Sequence, residues 1–248
     1  MSLSVLIIAH NEKDNIADAI SSVSFADEVV VVDNGSDDDT GEIASKMGAK
    51  VIRSDENIGY ADAKRLGIEH CAGEWILWLD ADERISDELA EEIVGAVKNP
   101  ENFAAFKMPR KSFFLKKWIR HCGWYPDYVL RLFLKNKARF SDDLVHEKVI
   151  VEGEVEKFSN PIIHHTDPDI EHYLKKLNHY TTLGARQMAA QGKRASALDI
   201  VIRPVATFLR MFIVKLGFLD GMHGFVLSVF SAVHTMTKYA KLYFAAKR

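Results

Sequence analysis

The chain has almost no cysteine. Cys71 and Cys122 are the only two among 248 residues, with no CxxC and no paired spacing. That argues against a disulfide framework or a thiolate zinc site and fits a reducing, cytosolic compartment. No GxGxxG follows the first strand-like run and no GxxxxGK[ST] occurs, so neither a dinucleotide fingerprint nor a Walker loop is present. No internal repeat or low-complexity linker is visible, and no apolar run reaches the roughly 20 residues that a spanning helix needs. The N-terminal run Ser4-Val-Leu-Ile-Ile-Ala9 has no basic region before it and runs into polar His10-Asn11-Glu12, so it reads as a first strand and not as a signal peptide. Hydrophobic residues make up 48% and charged residues 27%, enough of each for a chain of this length to bury a full core and stay folded.

Charge is unevenly placed. The net charge of −3 combines a surplus of five positive charges from Asp199 onward with −8 over residues 1–198. An acidic body with a basic, apolar tail suits an anionic surface such as phospholipid.

Strand-like and helix-like stretches alternate along the first part of the chain. Ser4–Ala9, Glu28–Asp33, Lys50–Arg53 and Trp75–Leu79 read as strands, and Asp14–Val23, Asp39–Met47, Asn57–Cys71 and Asp87–Val97 as helices. This order implies a doubly wound α/β domain with a mostly parallel sheet. Trp75-Ile-Leu-Trp-Leu is a buried strand delivering Asp80, Asp82 and Glu83 to its tip, where such sheets bind ligands. Two hard oxygen donors there suit Mg²⁺ or Mn²⁺ held together with a phosphate-bearing ligand. The same acids would also serve as the acidic start of a helix after Ser86. Polar residues end every other strand too: Asn11 and Glu12, Asp33, and Asp55 with Asn57. Turn chemistry alone explains Asp33-Asn34-Gly35 well, but not four such strand ends in a row. With no glycine loop for phosphate, Lys64 and Arg65 are the nearby cations.

The ordered set His10-Asn11-Glu12, Val-Val-Asp33-Asn-Gly-Ser36, Asn57-Ile-Gly59-Tyr-Ala61 and Leu-Asp80-Ala-Asp82-Glu83 resembles the nucleotide-binding half of the inverting family 2 glycosyltransferases. The resemblance implies a GT-A fold in which Asp33 contacts the nucleobase and Ala9, His10, Asn11 and Glu12 line the nucleoside pocket. It implies as well that Asp80, Ala81 and Asp82 hold the donor ribose and a metal-bridged diphosphate, with Asn57 and Lys64 on the donor side.

From Asn102 to Glu154 the alternation stops. Ala104–Met108 reads as a strand and Pro109–Lys117 as its continuation into a loop. Phe113, Phe114, Trp118, Trp124, Tyr125 and Tyr128 cluster there, as sugar-stacking faces or as a second small core. Arg131-Leu-Phe133 followed by Val145-His146-Glu147 is similar to a subgroup of the same family, which brings Arg131 to the donor site. An inverting transfer needs a base for the acceptor hydroxyl; Glu147 is the choice, ahead of Asp142, Asp143 and Asp127. His164 and His165 end a further short strand. Either could add a nitrogen ligand beside Asp82, and His164 fits the subgroup pattern better.

Glu171–Gln191 reads as a helix. Beyond it, Pro204–Leu219 and Gly221–Val233 are apolar stretches interrupted by Arg210, Lys215, Asp220 and His223. They suit amphipathic helices lying in a bilayer interface, or a pair packed on the domain or on a second subunit. Arg203-Pro204 and Gly217-Phe-Leu-Asp-Gly221 resemble the tails of bacterial lipopolysaccharide core glucosyltransferases. The expected organisation is a GT-A-like domain over 1–191, with a nucleotide half at 1–100 and an acceptor half at 101–191, followed by an amphipathic helical extension over 192–248. The expected activity is inverting transfer of a hexose, with glucose from UDP-glucose implied by the subgroup. The acceptor would be a glycolipid at the cytoplasmic membrane face, and a homo-oligomer is one possible assembly. Rival readings are a sugar nucleotidyltransferase, for which the glycine-rich first loop is missing, and a non-catalytic nucleotide-sugar-binding membrane adaptor. No nucleic-acid partner is expected.

Overall fold

The computed structural model describes residues 1–140 and 149–245. They pack as two units, one formed by 1–110, 128–140 and 149–164 and the other by 111–127 and 165–245. This division differs from the sequence boundary at 191. It falls inside the continuous strands Phe103–Phe114, Asp127–Leu134 and Ile162–Asp167, and the helix after residue 169 packs with the tail while its Tyr173 meets Phe114 of the first of those strands.

The first unit is built on four parallel strands, β1 (Leu3–Ala9), β2 (Glu28–Asn34), β3 (Lys50–Ser54) and β4 (Trp75–Asp80), in the order β3-β2-β1-β4. Helices α1 (Ile16–Ser21), α2 (Thr40–Lys46) and α3 (Tyr60–His70) connect them. Both faces are covered, which is why the strands are apolar throughout. Val5, Ile7, Trp75, Leu77 and Leu79 enter one core, while Leu6, Ile8, Val30, Val32 and Ile76 enter the other. Register sets Ala9 beside Asp33 and Ile8 beside Asp80, so the polar residues that end the strands come level along one edge. Helix α3 comes close to the sheet through Gly67, where an added Cβ would collide with Leu6 and Val32.

Antiparallel pairing enters next. β5 (Glu83–Arg84) leads into α4 (Asp87–Lys98), whose Ser86 cap accepts the Leu89 amide at 3.3 Å. Then come β6 (Phe103–Phe114), β7 (Lys117–Trp118), β8 (Asp127–Leu134), β9 (Ala138–Phe140), β10 (Val149–Val151), β11 (Glu154–Lys157) and β12 (Ile162–Asp167). The main sheet runs β3-β2-β1-β4-β8-β6-β12-β5. β8 lies antiparallel on β4, with Leu77 facing Leu132, and β12 lies antiparallel on β5, with His164 facing Glu83. The strand expected to give way to a loop at Pro109 continues to Phe114. Proline removes one amide donor but keeps an extended φ, so a strand survives it where that donor is not needed.

In the second unit the end of β6 folds back on β7, with Phe113 opposite Trp118. The two-residue turn between them, Leu115-Lys116, has φ of 50° and 65°. Side chains in that region cost about 1–2 kcal/mol each, which the surroundings must offset. The Leu115 amide donates to the Asp167 carbonyl at 2.9 Å, and Leu115 packs against a core of Phe114, Ile119, Cys122 and Leu227. Helices α5 (Ile170–Ala190), α6 (Ala197–Leu209) and α7 (Gly221–Ala245) complete the unit. The first apolar stretch of the tail is broken where α6 gives way to a π-turn at Arg210–Val214 and a short 3-10 turn at Gly217–Asp220, while the second runs on to Ala245. The buried Asp220 carboxylate accepts the backbone amides of Arg120 (3.3 Å) and His121 (2.8 Å). The Lys241 ammonium donates to the Asn178 carbonyl and to the Thr181 and Thr182 hydroxyls at 2.7–2.8 Å, fastening α7 to α5. No helix among the described residues is long and apolar enough to cross a membrane.

Because Gly67 has the side chains of Leu6 and Val32 against it on the sheet side, Gly67→Ala overpacks the α3 contact. The expected cost is about 1–3 kcal/mol, read from urea unfolding. An unchanged midpoint would show that Leu6 and Val32 yield freely.

Candidate active site

The tip of β4 is organised by one arginine. Arg131, near the middle of β8, is almost fully buried, and its guanidinium donates to Asp80 and, at 2.8 Å, to Glu83. Glu83 is fully buried and also accepts the Asp80 amide at 3.0 Å, which closes the turn Asp80-Ala81-Asp82-Glu83. Desolvation pushes the Glu83 carboxyl up from its ordinary pKa, against the pull of Arg131 and with the push of Asp80. Burial likewise works against the charge on Arg131, but the two carboxylates outweigh it and hold the guanidinium protonated. The guanidinium carbon also stands 4.1 Å from the centre of the Trp78 ring, and the Lys64 ammonium stands 3.8 Å from that same centre. Stacked on an aromatic face, both cations are oriented by the ring as well as by their polar partners.

Asp80 and Asp82 do not act as a matched pair. The turn sends Asp80 toward Arg131 and Asp82 toward His164, whose Nε2 lies 3.4 Å from Asp82 Oδ2. The β5–β12 register, which sets His164 across from Glu83, produces that meeting. Burial disfavours charge on His164, yet Asp82 and then Glu83 overcome it and raise its pKa. An imidazole nitrogen and a carboxylate oxygen converging at this separation fit one hard or borderline divalent ion, with its other positions left for ligand oxygens or water. Among the described residues no group of three or more His, Cys, Asp or Glu is set to hold a metal. Among the described residues this site therefore offers two donors, Asp82 and His164, with Asp80 engaged on Arg131. Ala81 is buried, and its carbonyl accepts Arg84 Nη1 at 2.8 Å while Arg84 Nη2 reaches the Asn15 carbonyl at 2.8 Å. Arg84 thus ties the acidic turn to the loop after β1.

That loop is a network of side chains capping backbone. His10 Nδ1 lies 2.9 Å from the Asn34 carbonyl. The Asn11 amide donates to Ser36 Oγ at 3.0 Å, and Asn11 Oδ1 accepts the Asp37 amide at 2.8 Å. The Glu12 amide donates to Thr40 Oγ1 at 2.8 Å. Asp33 is buried, accepts the Ser36 amide at 3.1 Å and has Arg53 Nε 3.9 Å away. Gly41 leaves room for it, since a Cβ there would stand 2.5 Å from Asp33 Oδ2. Asn57 Oδ1 accepts from Asn34 Nδ2 at 3.1 Å and from the Gly59 amide at 2.9 Å. Gly35, at φ +72°, could carry no side chain, for its Cβ would meet the Glu56 carbonyl carbon at 2.6 Å. Turn chemistry at Asp33–Ser36 thus accounts for the bonds that Asp33 and Ser36 make here.

Asp142, Asp143, His146 and Glu147 lie outside the described residues. Asp127 begins β8, and His165 stacks on Phe113 at 5.2 Å between ring centres, facing away from the role assigned to His164. Sequence reasoning did not single out Glu83, Trp78 or Arg84. Glu83 was quoted only as the third acid of a run, and the signal it offered was its place at the end of an otherwise apolar stretch.

Fold and strand-tip chemistry define the class, a sugar-transferring α/β enzyme. The chain belongs to glycosyl transferase family 2, whose sequence model matches residues 4–150. It is 32% identical to an uncharacterized glycosyltransferase of Rickettsia typhi over 97% of this chain and 86% of that one. It is 28% identical to the lipopolysaccharide core biosynthesis glycosyltransferase LpsC of Rhizobium meliloti over 98% of this chain and 92% of that one. Among solved structures, glucosyl-3-phosphoglycerate synthase of Mycobacterium tuberculosis overlaps 46% of this chain and 44% of its own, at 27% identity and a TM-score of 0.37.

Removing Arg131 strands a buried charge. Arg131→Leu is expected to lose about 3–5 kcal/mol, and Arg131→Leu/Glu83→Leu to regain more than half of it. Without its cation Glu83 keeps a folded pKa above the unfolded value of about 4.3. A raised folded pKa favours the folded state at low pH, so the deficit of Arg131→Leu should shrink as pH falls from about 8 to about 5. Urea midpoints at the two pH values measure it. A deficit that grows on acidification would reverse the assignment.

Proposed function

We propose that this enzyme is a divalent-metal-dependent, inverting hexosyltransferase that takes glucose from UDP-glucose and delivers it to a glycolipid of the lipopolysaccharide-core type. The observation that carries the reading is the pairing at the β4 tip, with Arg131 on Asp80 and His164 against Asp82. The acceptor class is supported by the name of the LpsC relative, which this chain matches over nearly its whole length. In this reading the loop at Ala9–Glu12, Asp33 and Asn57 receive the nucleoside, and Asp80, fixed by Arg131, takes a ribose hydroxyl. Lys64, held on the Trp78 face, adds positive charge on the donor side. Asp82 and His164 hold Mg²⁺ or Mn²⁺, which when bound neutralises charge on the leaving diphosphate. Glu147 takes the proton of the acceptor hydroxyl, and attack in line with the leaving group inverts the anomeric carbon.

UDP-glucose hydrolysis and a Mn²⁺-dependent rise in melting temperature with UDP test this directly. Asp82→Ala and His164→Ala should each lower turnover by about 10²–10³-fold and abolish the metal-dependent part of the shift. Glu147→Gln should lower turnover and leave the shift intact. Full activity of Asp82→Ala with Mg²⁺ present would sink the metal assignment.

We further propose that α6 and the start of α7 rest on the anionic inner face of the cell membrane. Val201, Val205, Val214 and Met222 are 64%, 56%, 70% and 71% exposed, a run of large apolar side chains that water alone would penalise. Arg203, Arg210 and Lys215 lie among them, while Asp199 is tied to Arg203 at 2.5 Å and Asp220 is buried. The exposed charge beside the apolar side chains is therefore positive, as an interfacial helix on acidic lipid requires. The triple variant Val205→Glu/Val214→Glu/Met222→Glu should lose flotation with phosphatidylglycerol vesicles at unchanged melting temperature. Equal flotation would remove the membrane assignment.

A further inference from the structure

The β6–β7 hairpin gathers cations around aromatic rings on the second unit. The Lys111 ammonium lies 4.7 Å from the centre of Trp118, and the Arg120 guanidinium carbon lies 4.3 Å from it. Tyr125 meets the edge of the same ring at 5.4 Å and 88°. Beside them the Phe113–His165 stack lies within reach of Lys111, whose ammonium is 5.8 Å from the Phe113 centre. Among the described residues neither Lys111 nor Arg120 has a carboxylate partner, and Arg120 and His165 are exposed.

The hairpin is anchored from its other face by Phe114, which lies in a buried core with Trp124, Tyr173 and Phe230. The backbone of Arg120 and His121 is held by Asp220, which leaves the Arg120 guanidinium to face outward. Alternation along β6 therefore sends Phe114 inward and Phe113 to the open side. A ring face accepts the C–H face of a sugar, and an arginine fork accepts two oxygens of a phosphate or carboxylate. Two cations with no acid partner among the described residues would be a liability against a neutral sugar and an asset against an anionic one.

We propose that Lys111, Arg120, Trp118 and Tyr125, flanked by His165, form an acceptor subsite for an anionic saccharide, a sugar ring bearing phosphate or carboxylate. The assignment rests on the reading of the enzyme as a glycosyltransferase with a saccharide acceptor. It selects acceptors by charge, independently of which nucleotide sugar is the donor. The sugar's ring rests against the aromatic side chains while its anionic group lies between Lys111 and Arg120.

Saturation-transfer NMR on the full chain tests it, with glucose 6-phosphate, glucuronic acid and glucose as probes. The two anionic sugars should give strong transfer and glucose little. Lys111→Gln/Arg120→Gln should weaken binding of the anionic sugars by about tenfold, as expected for loss of a charge-assisted hydrogen bond. Trp118→Leu should weaken all three probes, and Lys116→Gln at the exposed hairpin tip should change none. Equal transfer from glucose, retained binding in the double variant, or an equal loss in Lys116→Gln would each overturn the proposal. Phosphatidylglycerol vesicles separate a saccharide from a lipid headgroup: the double variant should float as the parent does, and lost flotation would reassign the cations to lipid. A UDP shift measured on the same variants should be unchanged, so failure of the donor reading appears there, in the parent protein, without altering the saccharide result.

Discussion

A single buried guanidinium shared by two carboxylates underlies the active-site edge of the sheet. Arg131 comes from β8, and Asp80 and Glu83 from the turn that ends β4. Arg131 and Glu83 are removed from water and Asp80 is partly exposed, and the buried charges are tolerable only because each has its opposite within hydrogen-bond range. The geometry that satisfies them also fixes the turn, for Glu83 holds the Asp80 amide while Arg131 holds the Asp80 carboxylate. Asp82, two residues after Asp80 in that turn, is thereby brought to His164. The position of the candidate metal donors is thus a by-product of charge neutralisation one layer deeper.

Much of the first unit was legible because its strands announce themselves. Runs such as Val29–Val32 and Ile76–Leu79 are apolar on both faces, and polar residues appear only where the strands end. The sequence therefore pointed to Asp33, Asn57, Asp80 and Asp82 together, and to His164 as the partner of Asp82. It could not distinguish Glu83 from its neighbours, because three acids in four positions look alike until the chain returns 48 residues later with Arg131. Burial of an acid is decided by a distant partner and leaves little local mark. Arg131 was assigned to the donor, and the structure adds that its donors are turned on protein carboxylates.

The acceptor half was less legible for a related reason. Six clustered aromatics admitted two uses, and the structure divides them: Phe114 and Trp124 enter a core with α5 and α7, whereas Trp118 and Tyr125 meet each other beside two cations. Only the period-two alternation of a strand that continues past Pro109 separates the two groups, and a proline there reads locally as an end. In the tail, hydropathy found the apolar stretches but not the π-turn that interrupts them, since Arg210–Val214 contains neither proline nor glycine.

The left-handed turn at Leu115-Lys116 ties two histories together. Neither residue favours that conformation; Leu115 is held by its bond to the Asp167 carbonyl and by a core that includes Leu227, and both of those residues lie beyond the ones that the family model matches. The hairpin lies within the segment that the family model matches, yet part of the core it packs against comes from a helix beyond that segment. A chimera that joins this catalytic segment to a relative's C-terminal helices would inherit the turn without the clamp that keeps it bent. A substitution at Leu227 in α7 therefore bears on a turn that lies far from it in sequence.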